Sequence, residues 1–345
     1  MMIAVEDIRA RAKDLLESGK VRAVLGYRRS TAGLLAEPAF MTTPEETAAL
    51  VLDPTCVENL ALYLVNEKKR MKHARQSDKR PLAIVAKGCD SRAITVLLQE
   101  NHIEREEVIV LGVSCEKGGV IDTRKLMKAL RGKYATSAAF DGASGVKVSC
   151  IGGGATLPAK DVLADRCLEC AKAYPIDTDF LFGEKVDERP NGPRFTVVSA
   201  FAEKSREERS AFWDGHFERC IRCYACRAVC PMCYCDECVV GSTNFIVNPA
   251  TTADEKANRV CWINRSASPS ENAMYHMVRA MHLAGRCTDC GECERVCPVN
   301  IPLRLLNTML EREALEMFQY TTGLDAEQPS LISSFRDGDP NDFVR

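Results

Sequence analysis

Two stretches of this chain repeat one cysteine pattern. Cys220-x2-Cys223-x2-Cys226-x3-Cys230 runs into Pro231, and Cys287-x2-Cys290-x2-Cys293-x3-Cys297 runs into Pro298. Three thiolates two residues apart reach three irons of one cubane from a single tight loop. The fourth is set back, and the proline after it fixes φ and removes a backbone donor, so it points away from that loop. Where two such runs share a chain, the set-back cysteine ligates the other cluster. The spacing therefore predicts one [4Fe–4S] cluster on Cys220, Cys223, Cys226 and Cys297, and a second on Cys287, Cys290, Cys293 and Cys230. Zinc sites use CxxC pairs rather than a triple followed by CP. Two neighbouring cubanes point to single-electron transfer.

The rest of the composition narrows the setting. A chain of 345 residues has room for about two domains. With 46% apolar and 27% charged residues, it has the make-up of an ordinary globular protein. A net charge of −2 gives no general attraction to nucleic acid or to an anionic membrane. No apolar run approaches the roughly 18–20 residues of a membrane span, so no direct membrane insertion is expected. The start, MMIAVEDIRARAKDLL, lacks the apolar core of a signal peptide, which leads to an expected cytoplasmic location. Eighteen cysteines in a reducing compartment read as metal ligands rather than disulfides.

Before residue 200 the pattern alternates. Residues 5–18 have helical character, residues 21–27 read as a buried strand, and Thr43-Pro44-Glu45-Glu46 starts a helix with a capping box. A long helix is expected over residues 56–75. Strands are expected over 81–87 and 107–113, each followed by a helix, the first capped by Asp90 or Ser91 and the second by Asp122 or Thr123. Residues 195–201, FTVVSAF, read as a last strand. This is an α/β domain with a parallel or mixed sheet over 1–200. Beyond it, helices are expected over 203–220, from Ser268-Pro269 to Gly285 with Met274, Met277, Val278 and Met281 on one face, and after Ile301-Pro302. The predicted divisions are 1–200, an all-α unit with two clusters over 201–322, and an irregular tail over 323–345.

Both cysteine runs have the spacing of bacterial ferredoxins, yet helices flank them and 56 residues separate Cys230 from Cys287. That arrangement resembles the helical iron–sulfur domain of heterodisulfide reductase small subunits and succinate dehydrogenase iron–sulfur subunits.

The first domain carries its own cysteines. Cys89 follows one expected strand in KGCDSRA, Cys115 follows the next in LGVSCEKGG, and Cys167-x2-Cys170 comes later. Strand ends of this kind fall at the carboxyl edge of a sheet, where ligand sites gather. Strand–GCD–helix, strand–xCxxG and then CxxC resembles the β-subunit family of deazaflavin-coenzyme-reducing hydrogenases and deazaflavin-linked formate dehydrogenases, over roughly residues 20–190. In this chain the ferredoxin motifs follow that domain. The resemblance implies a third [4Fe–4S] cluster on Cys89, Cys115, Cys167 and Cys170, and it leaves room for a flavin such as FAD. Gly152-Gly153-Gly154 is the candidate backbone for a flavin pyrophosphate; a plain turn is the competing reading.

Cys56, Cys150, Cys233, Cys235, Cys238 and Cys261 remain. The last four could pack near a cluster, form a further thiolate site, or let Cys233 exchange with Cys230. No nickel-site or molybdenum-site signature is present, and no side-chain set is expected to be catalytic. The expected role is an electron-transfer β subunit of a cytoplasmic, anaerobic complex of the formate dehydrogenase or hydrogenase type. Its partners would be a catalytic dehydrogenase or hydrogenase subunit and heterodisulfide-reductase-type subunits. The alternative is a flavin-containing subunit exchanging hydride with deazaflavin or nicotinamide.

Overall fold

The computed structural model describes residues 5–31, 33–73, 78–115, 118–142, 144–170, 172–185, 194–236, 238, 240, 252–254, 263, 267–332 and 334. The chain divides into two compact units. The first takes Met1–Thr196 together with Thr288–Cys290 and Thr322–Ser330; the second takes Val197–Cys287, Gly291–Thr321 and Leu331–Arg345.

The first unit is built on a mixed five-stranded sheet. Its strands are β1 (Ala23–Arg29), β2 (Ala36–Met41), β3 (Leu82–Ala86), β4 (Val108–Val113) and β8 (Phe180–Phe182), in the order β2-β1-β3-β4-β8. β1, β3, β4 and β8 run parallel and β2 closes one edge antiparallel to β1. The central strand reads LAIVA and is buried at every position, the continuous apolar run expected of a parallel strand covered on both faces. Helix α1 (Val5–Glu17) buries Ile8, Ala12 and Leu15 against Val24, Val85 and Leu111. Those positions recur at three and four residues, the inward stripe of an amphipathic helix.

Helix α2 spans Ala61–His73 and α3 spans Gly88–Gln99. The cap of α3 differs from expectation. Lys87 occupies it, and Asp90 sits three residues inside, where its carboxylate accepts the Lys87 backbone N–H at 2.8 Å. Asp122 does cap α4 (Thr123–Ala129), accepting from the backbone of Arg124 and Lys125. The helix start at Thr43 shrinks to one short turn, Glu45–Ala49, although the Glu46 carboxylate still reaches the backbone of Thr42 and Thr43.

A second, three-stranded antiparallel sheet was not foreseen: β5 (Ala135–Asp141), β6 (Gly145–Cys150) and β7 (Gly153–Pro158). Val146 and Val148 bury its inner face against Val120, Leu126, Val162 and Leu163. Two short turns, α5 (Ala159–Val162) and α6 (Asp165–Leu168), follow.

FTVVSAF is a helix, not the last strand: α7 spans Thr196–Ala202, and its buried Val198 and Phe201 lie three apart. A short apolar run satisfies either period, and here the helical one holds. The last strand of the sheet is β8.

The second unit is helical. Ser205 and Glu208 form a reciprocal capping box at the start of α8 (Arg206–Glu218). α9 (Ala225–Ala228), α10 (Pro269–Leu283), α11 (Glu292–Arg295) and α12 (Leu303–Phe318) complete it. The face of α10 is reversed from expectation. Met274, Met277 and Met281 are 45%, 54% and 65% exposed, whereas Asn272, Tyr275, His276 and Arg279 are buried. Hydropathy alone assigns the methionines inward. They lose that place because the inward side meets the backbone and sulfurs of the first cysteine run, which want donors. No helix among the described residues is long and apolar enough to cross a membrane. Residues 186–193 and Cys261 lie outside the described residues.

Candidate functional site

The carboxyl edge of the five-stranded sheet opens into a cavity, and Cys89, Cys115, Cys167 and Cys170 all line it. Each arrives by a different local device. Cys89 sits in the first turn of α3, directly after β3. Cys115 follows β4, its backbone N–H donating to the Ala173 carbonyl at 2.7 Å. Cys167 belongs to α6, and its sulfur accepts the Val120 backbone N–H at 3.4 Å. Cys170 lies just past α6, its thiol donating to the Lys172 carbonyl at 3.2 Å.

Two glycines make this convergence sterically accessible. A Cβ on Gly119, whose φ is +114°, would lie 2.4 Å from the Cys167 sulfur; a Cβ on Gly88 would lie 2.4 Å from the Lys172 carbonyl oxygen. Gly119→Ala is therefore expected to destabilise the fold by about 1–3 kcal/mol through overpacking. A urea midpoint equal to that of the parent chain would contradict it.

Cys89, Cys115 and Cys170 are held protonated until something replaces the protons. Burial pushes the Cys115 thiol up to about 12, with Cys170 and Cys167 adding to it. Burial also raises Cys89 and Cys170, helped at Cys89 by Asp90 and at Cys170 by Cys167. A soft metal centre that takes the sulfurs as thiolates would release those protons. Cations stand ready for the resulting charge, since Lys87, Arg92 and Arg166 share the lining. Arg92 is anchored by donating to the carbonyls of Thr322, at 2.9 Å, and Thr288, at 3.2 Å. Thr288 and Asp289, which lie between Cys287 and Cys290, also line the cavity. Sequence reasoning missed this wall, because nothing local marks a ferredoxin loop as part of a distant sheet edge.

Below the cavity, Lys87 is the centre of a buried polar knot. Its ammonium pairs with the Asp90 carboxylate at 3.0 Å, donates to the Glu58 carbonyl at 2.9 Å, and donates to the Tyr27 hydroxyl. A second cavity of about 210 Å³ shares Lys87, Cys115, Gly119 and Val120 with the first. The Ser114 hydroxyl on its wall is buried and has no hydrogen-bond partner among the described residues.

Gly152–Gly154 lie elsewhere. Cys150 pairs with Gly153, so Ile151 and Gly152 form the two-residue turn between β6 and β7, and all three glycines are exposed. They line neither cavity, and Gly152, at φ +85°, has the conformation the turn demands.

In the second unit, Cys220, Cys226, Cys293 and Cys297 belong to one buried cluster with Phe217, Tyr275, Ile301 and Leu303. Helix α10 supplies the polar groups around the first run. Asn272 donates to the carbonyls of Phe217 and Cys220, at 2.9 and 2.8 Å. The His276 Nε2 lies 3.3 Å from the Cys220 sulfur, and the Tyr275 hydroxyl 3.6 Å from the Cys226 sulfur. Arg279 donates to the Cys226 carbonyl at 2.8 Å. Burial, with Arg279 and Arg222, depresses the His276 pKa to about 3, so its ring is neutral at physiological pH. At the second run, the Cys297 sulfur accepts the Ile301 backbone N–H at 3.3 Å.

Of the remaining cysteines, Cys56 is fully buried, its thiol pushed up to about 12 mainly by burial and directed at the Val51 carbonyl. Cys150 is half-buried at the end of β6. Cys233 is hydrogen-bonded to Cys230, which raises its pKa ahead of burial. Cys235 is exposed and Cys238 half-buried. Among the described residues, no three His, Cys, Asp or Glu side chains close on a point as a single-ion site requires.

A mixed α/β sheet with cysteines at its carboxyl edge, followed by a helical unit with two cysteine runs, is the pattern to set beside known proteins. The chain is 23% identical to F420-dependent formate dehydrogenase subunit beta of Methanocaldococcus jannaschii, over 93% of this chain and 92% of that protein. It is 22% identical to F420-dependent formate dehydrogenase 1 subunit beta of Methanococcus maripaludis, over 93% of this chain and 91% of that one. No protein-family model matches. Among solved structures, a chain of the F420-reducing [NiFe] hydrogenase complex from Methanosarcina barkeri superposes with a TM-score of 0.33 at 14% identity, covering 48% of this chain and 58% of that one. This chain is a homologue of the formate dehydrogenase β subunits, and with that coverage both of its cysteine-rich parts fall inside the aligned span.

Proposed function

We propose that the chain is the electron-transfer β subunit of a cytoplasmic complex of the formate dehydrogenase or hydrogenase type. In this reading electrons pass between a catalytic subunit and a heterodisulfide-reductase-type partner. Three [4Fe–4S] clusters would be held by Cys89, Cys115, Cys167 and Cys170; by Cys220, Cys223, Cys226 and Cys297; and by Cys287, Cys290, Cys293 and Cys230. The observation that carries the reading is the cavity itself: four cysteines from three separate stretches of the chain line one pocket beside three buried cations. Thiols distributed around a cavity, rather than closed on a point, suit a polynuclear centre better than one zinc ion. Such a centre supplies one-electron oxidation and reduction. The protein contributes the thiolates, the cations Lys87, Arg92 and Arg166 that offset their charge, and a sheet edge that fixes them.

A second reading adds a flavin. The cavity that shares Cys115 and Lys87 with the cysteine pocket, and the orphaned Ser114 hydroxyl on its wall, favour it. At about 210 Å³ the space suits a ring system better than a whole dinucleotide, which needs more than the usual lower limit of about 300 Å³ for ligand pockets. A ring there would let deazaflavin or nicotinamide deliver hydride for division into single electrons.

Analysis of iron, sulfide and flavin in anaerobically purified protein tests both. About twelve irons are expected on a count of four per cubane. Cys115→Ser should remove about four of them and leave the other clusters' paramagnetic signals. Equal iron in parent and variant would sink the cavity assignment. One flavin per chain would favour the second reading.

A further inference from the structure

The stretch between Asp122 and Asp161 is charged unlike the rest of the chain. It carries seven Lys and Arg side chains against one acid, Asp141, in a chain whose net charge is −2. Lys125 pairs with Asp165. Lys128, Arg131, Lys133 and Lys147 are exposed and make no ion pair among the described residues. The same stretch holds Met127, Tyr134 and Ile151. At 69%, 60% and 72% exposure they are the most exposed large apolar side chains among the described residues of the first unit.

The fold gathers these groups at one corner of the small sheet. After α4 the chain turns through Arg131, at φ +50°, and Gly132, at φ +87°, and reaches Tyr134 at the entry to β5. The Ile151 backbone N–H, in the turn between β6 and β7, donates to the Tyr134 carbonyl at 3.0 Å, which sets these two residues side by side. Lys147 stands on the solvent side of β6, where Val146 and Val148 point inward. Single apolar residues on a surface are ordinary, but adjoining ones mark contact sites. Arg131 holds a left-handed conformation that suits glycine better than arginine, and strain of this kind collects at functional sites. The unpaired cations repel one another, and an anionic surface laid against them relieves that repulsion.

We propose that this corner is a docking surface for another subunit, one that presents carboxylates around an apolar centre. Tyr134 and Ile151, with Met127, supply the part that loses water on contact; Lys128, Arg131 and Lys133 supply a charged rim. Met, Tyr and Arg are the residue types enriched at protein interfaces, and rim charges speed encounter and reject partners of like sign. A second copy of this chain fits poorly, because a two-fold contact would set the same cations against each other. A lipid surface fits poorly too, since α4 has only seven residues and offers no extended amphipathic face. The inference goes beyond the electron-transfer reading and takes from it only that the chain works within a complex.

Carbodiimide cross-linking of the complex, purified anaerobically through the full-length chain, tests the surface, because the reagent joins a lysine amine directly to a carboxylate it touches. Mass spectrometry should find Lys128 or Lys133 joined to Asp or Glu of another subunit. Links only between two copies of this chain overturn the proposal. So do unlinked Lys128 and Lys133 when other lysines of the chain are linked to that subunit, and so does a chain that purifies alone. The full-length chain carrying Lys128→Glu, Arg131→Glu and Lys133→Glu together should then bind the cross-linked subunit about tenfold more weakly, with a smaller dependence on salt. Tyr134→Ala with Ile151→Ala should weaken binding and leave the salt dependence in place. Unchanged binding in both variants overturns the proposal. If either variant fails to fold, the cross-links of the parent chain decide alone. Sedimentation of the parent chain with vesicles of anionic lipid, lost in the charge-reversed variant while the complex stays intact, overturns it in favour of a membrane. A complex that shows these cross-links but no iron–sulfur paramagnetic signal would instead overturn the electron-transfer reading and leave the docking surface standing.

Discussion

Removing iron from the intact protein with a chelator, under anaerobic conditions, is expected to unfold the carboxyl-terminal unit and leave the amino-terminal sheet folded. The reason lies in what each unit buries. The core of the second unit counts Cys220, Cys226, Cys293 and Cys297 among its members, and its helix α10 turns Asn272, His276 and Arg279 inward. Without a cluster, the thiols and the His276 ring beside Cys220 become buried polar groups that work against the fold. Ligation by thiolates contributes folding free energy directly, on the order of 10 kcal/mol in small metal-dependent domains. The first unit has two apolar cores of its own, one around Val24, Val85 and Leu111 and one around Val146, Val148 and Leu163. Hydrogen exchange should show loss of protection in α8, α10 and α12 and retention in β1, β3 and β4. Equal protection in all six after chelation would refute the expectation.

Asp90→Ala is expected to be the most damaging single substitution outside the cysteines, at about 3–5 kcal/mol, the usual cost of breaking a buried ion pair. Asp90 is wholly buried. Its two oxygens accept the backbone N–H groups of Leu60 and Lys87, both at 2.8 Å, and pair with the Lys87 ammonium. The substitution leaves that ammonium buried beside Tyr27 without its carboxylate and frees two backbone donors. Asp90→Asn keeps one oxygen for one of them and should cost less. Urea denaturation monitored by circular dichroism would measure both, and a loss below about 1 kcal/mol for the alanine variant would show the knot to be dispensable.

The placement of many of the cysteines was legible in the sequence. Cysteine spacing is local, so both ferredoxin runs were visible. Cys89 and Cys115 were legible for a related reason: each follows a strongly apolar strand, and strand ends in an α/β sheet share an edge. What failed was what depends on partners distant in sequence. FTVVSAF satisfies a strand as well as a helix, and only its burial at Val198 and Phe201 decides. The methionine stripe of α10 is apolar and correctly periodic, yet it lost the interior to Asn272, His276 and Arg279, because the neighbour on that side is polar. The small sheet β5–β7 escaped notice because its glycine-rich last strand has weak strand character. Gly152–Gly154 looked suited to a phosphate, but the register of β6 against β7 makes them a hairpin turn and its edge.

The unequal division of the backbone limits how this protein can be dissected. Thr288–Cys290 and Thr322–Ser330 count with the first unit, although both follow most of the second in the chain. A fragment ending at Thr196 would lack the Thr288 and Thr322 carbonyls that anchor Arg92. It would also lack Gly323, where a Cβ would lie only 2.3 Å from the Arg92 carbonyl oxygen. The two halves are consequently poor candidates for separate expression or for transplantation as cassettes, and an evolutionary exchange of one ferredoxin module for another would have had to preserve these two returning segments.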